Sequence, residues 1–121
     1  MVDIKTTGAK YDSYLRKMRR YFHEHPELSN REYETSAAIL KELSEMGIPA
    51  RKLGGTGVVA DIKCGKPGKC VALRADIDAL PVCEETGLPF ASKNAGVMHA
   101  CGHDGHIAML LTACRILNDV K

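Results

Sequence analysis

The hydrophobic period of the chain changes near residue 50, and that change limits the folds open to it. Before it, Tyr11, Leu15, Met18 and Phe22 recur at helical spacing, and the pattern stops at His25, where the following Pro26 disfavours further helix. A second helical pattern follows: Ser29 and Glu32 form an S-x-x-E capping box, Tyr33, Ala37, Leu40 and Leu43 mark one face, and Gly47 with Pro49 supplies the stop. Beyond residue 50 the apolar runs become short and β-branched, Val58 to Cys64 and Cys70 to Ile77, and Gly and Pro divide them, which predicts strands and a hairpin. A closing helix is expected from about Asp104, burying Ile107, Leu110, Leu111, Cys114 and Leu117. Two helices, strands and a closing helix make an α/β or α+β layer with one face of the sheet covered.

With 121 residues, 45% of them hydrophobic, the chain can close one modest core, so it is one domain or a piece of one. The net charge of +2 comes from scattered basic residues; the nearest approach to a cluster, Arg16, Lys17, Arg19 and Arg20, reads as a solvated helix face. Neither a nucleic-acid partner nor a membrane surface is indicated. No apolar run approaches the roughly eighteen residues of a membrane span, and the start of the chain lacks the apolar centre of a signal peptide, which together predict a cytoplasmic location. Five cysteines without a C-x-x-C pair fit reduced thiols; Cys64 and Cys70, on either side of "GKPGK", read as small buried apolar residues.

The chemistry concentrates in "GVMHACGHDGHIAM", residues 96 to 109. Cys101 and His103 are two apart, so on extended backbone both project to one side, as two ligands of a shared metal must. Thiolate and imidazole suit zinc and, more loosely, manganese, cobalt or nickel, and Gly102 leaves the space between them open. His99 would point the same way if the strand continues, and His106 shares a helix face with His103, giving four candidate ligands. Asp104 stands at the expected N-cap, where the positive helix end favours a thiolate or a bound anion. Two other readings stay open: packed structural His and Cys, and a thiol enzyme in which His103 or His106 activates Cys101, although no third orienting group is evident.

Other motifs carry less. "HEHPE" at 23 to 27 is not H-E-x-x-H, and its proline breaks the helix that signature needs, so its histidines read as helix-end residues. Asp76 and Asp78 share one side of a strand end, a position open both to active-site carboxylates and to an exposed turn. Glu84 and Glu85 read as a solvated acidic pair in the irregular stretch from Leu80 to Met98, which exceeds the roughly 12 to 15 residues of a plain connector.

"FHEHPELSNREYETSAAI", "VALRADIDALP" and "ASKNAGVMHACGHDGHIAMLL", in this order and at these distances, resemble the start of bacterial and plant amidohydrolases of the aminoacylase, hippurate hydrolase and auxin-conjugate hydrolase type. These belong to a wider group of two-metal carboxypeptidases and deacylases. The resemblance implies an α/β catalytic domain with a mixed sheet and helices packed on it, of which residues 1–121 are the N-terminal portion, without the lid and dimerisation domain. It also implies metal-dependent hydrolysis of the amide bond in N-acyl amino acids or short peptides, with two divalent ions (zinc or manganese, cobalt or nickel as others) in a complete site and a homodimeric parent.

By the same resemblance Cys101 corresponds to a thiolate bridging two metals and His103 to a terminal ligand. Where relatives have His-x-Asp, this chain has Asp76-Ile77-Asp78, which leaves Asp78 a supporting role behind a ligand. Asp104 and His106 belong to the motif as supporting or substrate-facing residues. The family's general-base glutamate, its neighbouring glutamate ligand and two further histidines fall downstream of Cys-Gly-His, so the chain alone is expected to be inactive. The alternatives are a non-catalytic metal-binding or interaction module, and a small Cys101 thiol enzyme.

Overall fold

The computed structural model describes residues 1–121. A short helix that the periodicity did not announce comes first: in α1 (Ile4–Lys10), Asp3 is the N-cap, its Oδ1 accepting from the Lys5 and Thr6 amides at 3.1 and 3.4 Å. α2 (Asp12–Glu24) buries Met18 and Phe22 and ends at His25, as the proline predicts.

α3 (Tyr33–Glu45) begins differently from expectation. Its N-cap is Glu32, which makes no side-chain capping bond, and Ser29 lies outside the helix, so the S-x-x-E box does not form. Glu27 does the capping instead. Its Oε1 accepts from the amide and hydroxyl of Thr35, both at 2.6 Å, and its Oε2 from the Glu34 amide at 3.2 Å. A carboxylate there satisfies orphan N–H groups and meets the positive helix end. The buried face is Thr35, Ser36, Ile39 and Leu43 rather than Tyr33, Ala37 and Leu40, and Tyr33 is 59% exposed. A polar tie accompanies this rotation: the Ser36 hydroxyl donates to the Thr56 carbonyl. At the other end Gly47, at φ +73°, closes the helix as expected, with its amide on Ser44 O and that of Ile48 on Leu43 O, both 3.0 Å.

β1 (Ala50–Leu53) and β2 (Gly57–Ala60) form an antiparallel hairpin in register Ala50↔Ala60 to Leu53↔Gly57. The second predicted strand, Cys70 to Ile77, has no ladder. Residues 62 to 78 make no backbone-to-backbone hydrogen bond, and Val71 and Leu73 are 79% and 57% exposed. An extended run becomes a strand only beside a neighbour that takes its bonds, and none of 1–121 supplies one. Cys64 and Cys70 are exposed, not buried.

Isolated bridges of both senses follow, Leu28↔Ala79 parallel and Leu80↔Met98 antiparallel. The second closes the base of the 80–98 loop, which is pinned by the Lys93 amide on Glu24 O (2.9 Å) and Asn94 Nδ2 on Pro26 O (3.1 Å). α4 (His103–Val120) starts one residue early, with Gly102 as N-cap. It buries Ile107, Ala108 and Leu111 against Met18, Phe22, Ile39, Leu43 and Ile48, while Leu117 is 40% exposed. The result is the expected α/β layering, helices over a small sheet. No helix is long and apolar enough to cross a membrane.

Candidate metal centre

His103 opens α4, and its ring is fixed from the Asp76–Asp78 segment. Nδ1 lies 3.0 Å from the Asp78 carbonyl and 2.9 Å from Asp78 Oδ1. A carbonyl only accepts, so Nδ1 carries the proton and donates, which leaves Nε2 with a free lone pair when the ring is neutral. Nε2 lies 3.9 Å from Asp76 Oδ2, and Asp76 Oδ1 accepts from Arg74. An imidazole held at Nδ1 by a carboxylate is the orientation a metal-binding histidine requires.

Cys101 is an exposed free thiol in the turn before the helix. Gly102, at φ +120°, lets the chain turn there in a conformation other residues rarely adopt. His106 is exposed, its ring 5.5 Å from that of His103 on the same helix face. His99 departs from expectation: it is 4% exposed and neither ring nitrogen has a partner. Burial holds its ring below the usual histidine value. No three His, Cys, Asp or Glu side chains form a group able to hold a metal ion, so the anticipated four-donor convergence does not form within 1–121.

Behind this turn lies a buried ionic network absent from the sequence reading. Asp104 is not the N-cap but the second residue of α4, and its carboxylate faces inward. Its Oδ2 meets Arg19 Nε at 3.1 Å and His23 Nδ1 at 2.7 Å, and its Oδ1 accepts from the Gly105 amide at 2.9 Å. The other His23 nitrogen, Nε2, lies 2.9 Å from Glu84 Oε1, which also accepts from the Ser92 amide at 2.9 Å, while Oε2 takes the Thr86 hydroxyl. The side chains of His23, Asp104 and Glu84 are 3%, 2% and 4% exposed. Phe90 packs edge-on to His23 at 5.7 Å and carries the Arg19 and Arg20 guanidiniums on its ring at 5.3 and 4.9 Å.

Glu84 is therefore not a solvated loop residue. Burial pushes its carboxyl up, but the bonds from Thr86, the Ser92 amide and His23 outweigh that and hold it below the usual glutamate value. Glu85 is exposed, as expected. The one sequence signal for the network is the i,i+4 pair Arg19 and His23 beside the Met18–Phe22 stripe. Its partners lie 61 and 81 residues from His23, beyond any local pattern.

Residues 72–121 match Peptidase family M20/M25/M40. That match takes in the last 50 of the 121 residues. The chain is 55% identical over 103 residues to an N-acetyl-L-cysteine deacetylase of Bacillus subtilis, covering 84% of itself and 25% of that protein. It is 48% identical over 116 residues to thermostable carboxypeptidase 1 of Saccharolobus solfataricus, covering 94% of itself and 30% of the relative. Its fold superposes with a TM-score of 0.84 on the Bacillus subtilis YXEP protein, described as a dinuclear metal-binding peptidase of the M20 family, at 47% identity, covering 95% of this chain and 32% of that one. The chain thus spans about a quarter to a third of the length of these relatives.

Proposed function

We propose that residues 1–121 are the amino-terminal part of the catalytic domain of a metal-dependent M20 amidohydrolase that cleaves the amide bond of N-acyl amino acids or short peptides. The observation that carries this reading is the His103 ring, tethered at Nδ1 by Asp78 with Nε2 left free, two residues from the exposed thiol of Cys101. A soft thiolate and a neutral imidazole fit zinc, and less selectively manganese, cobalt or nickel. Cys101 and His103 would hold the ion, Asp78 orients His103, and His106 lies on the same helix face, where it can meet substrate. Asp104 supports the turn from behind. A divalent ion bound there supplies Lewis-acid polarisation of the scissile carbonyl and a more acidic bound water.

The buried Glu84 is not free to act as general base. Glu84 is committed to His23, Thr86 and Ser92. We therefore assign the proton-transfer glutamate, the remaining ligands and the dimer contacts of the whole protein to segments outside 1–121, in keeping with the much greater length of the relatives. Five unpaired cysteines support a reducing compartment, the cytoplasm.

Titration of the chain with cobalt(II), followed by thiolate-to-metal charge-transfer absorption, tests the reading. Binding that is lost in both Cys101→Ser and His103→Ala is expected. Absence of binding, or binding untouched by Cys101→Ser, overturns it. Alkylation chemistry at Cys101 without metal dependence would favour the thiol enzyme instead.

A further inference from the structure

We propose that His23 is a positioning residue for the metal-binding turn: it holds Asp104 directly behind His103 and, through Glu84, locks the 80–98 loop to that turn, so that turn and loop behave as one unit. The inference rests on the metal-centre reading above for its purpose, but its geometry stands independently of any metal.

Asp104 already takes Arg19 and the Gly105 amide, and Glu84 already takes the Ser92 amide and the Thr86 hydroxyl. Ionised carboxylates only accept, so with both ionised the two nitrogens of His23 must both donate, at 2.7 and 2.9 Å. The charges then sum to zero over the buried His23, Asp104 and Glu84 together with Arg19, which closes the cluster at the surface with 41% of its side chain exposed. No other side chain joins the two carboxylates. His23 comes from α2, Asp104 from the first turn of α4 and Glu84 from the loop, so one ring ties three separate segments. Asp104 adjoins His103 in sequence, and its Oδ1 on the Gly105 amide fixes the backbone of the first turn that presents the His103 ring. Loss of His23 would leave two buried carboxylates short of a donor and remove the one side chain that links the turn to Glu84 of the loop.

Glutamine at position 23 offers one donor group where histidine offers two on opposite edges. In His23→Gln, amide exchange is expected to accelerate at least tenfold at Ser92 and Gly105 relative to the α3 amides, for example Leu43. Unchanged exchange, or acceleration shared equally with α3, overturns the proposal. Cobalt(II) alone is expected to bind this variant about tenfold more weakly than the parent, the low end of the range for losing an outer-shell partner; equal affinity overturns the link to the metal turn. Should the variant fail to fold, the parent decides: both His23 ring protons should be seen in the NMR spectrum, protected from water, and their absence overturns the clamp. If the parent binds no cobalt, the functional reading falls while the exchange and ring-proton results still judge the clamp.

Discussion

Glu84→Ala separates the loop as seen in the fold from the loop as its composition describes it. Truncation leaves His23 Nε2 and the Ser92 amide without their acceptor in a site where the glutamate side chain is 4% exposed. Breaking a buried pair by removing one partner costs about 3–5 kcal/mol. Counting the two stranded donors separately, at about 1–3 kcal/mol each, reaches the same range. The neighbouring Glu85→Ala, at an exposed position, should change stability by no more than about 0.5 kcal/mol. In urea unfolding followed by circular dichroism, with a slope of about 2 kcal/mol per molar, the Glu84 variant should lose about 2 M in midpoint and the Glu85 variant almost nothing. Two variants within about 0.5 kcal/mol of one another would refute the argument, because the network would then contribute no more than a surface pair.

Two further outcomes follow from the same geometry. Glu27→Ala removes the acceptor for the first amides of α3 and should cost about 1–2 kcal/mol in the same urea experiment, whereas Ser29→Ala, outside the helix, should be close to neutral. For pH, the Glu84 carboxyl lies below its ordinary value of 4.5 in the folded state, so its contribution is complete above that value and is lost as pH falls through the folded one. Unfolding free energies measured from pH 6 to pH 3 should therefore fall more steeply for the parent than for Glu84→Gln.

What could be read from the sequence was whatever depends on neighbours a few residues away. The 3.6-residue stripe ending at Phe22, the stop at His25-Pro26 and the Gly47 closure are local events, and all three hold. Where a local rule met a competitor it failed. Ser29 lost the cap to Glu27, whose carboxylate reaches the same amides from outside the helix, and the α3 face turned toward the hairpin through Ser36. Cys70 to Ile77 carries strand composition, yet a ladder is a property of two segments and its second member is not within 1–121. In the site, the residue types of Cys101, His103 and Asp78 were legible, while the contact between Asp78 and the His103 ring joins residues 25 apart and was not. Glu84 and His23 were not, since their meaning comes from contacts across 61 and 81 residues.

The free Nε2 of His103 is the feature on which the functional reading turns, and nitrogen-15 NMR of the imidazole during zinc titration observes it directly. The expected result is a large shift of Nε2 on zinc addition, while Nδ1 keeps its proton and its bond to Asp78. Coordination through Nδ1, or a His103 ring that does not respond to zinc while the chain stays folded, would contradict it.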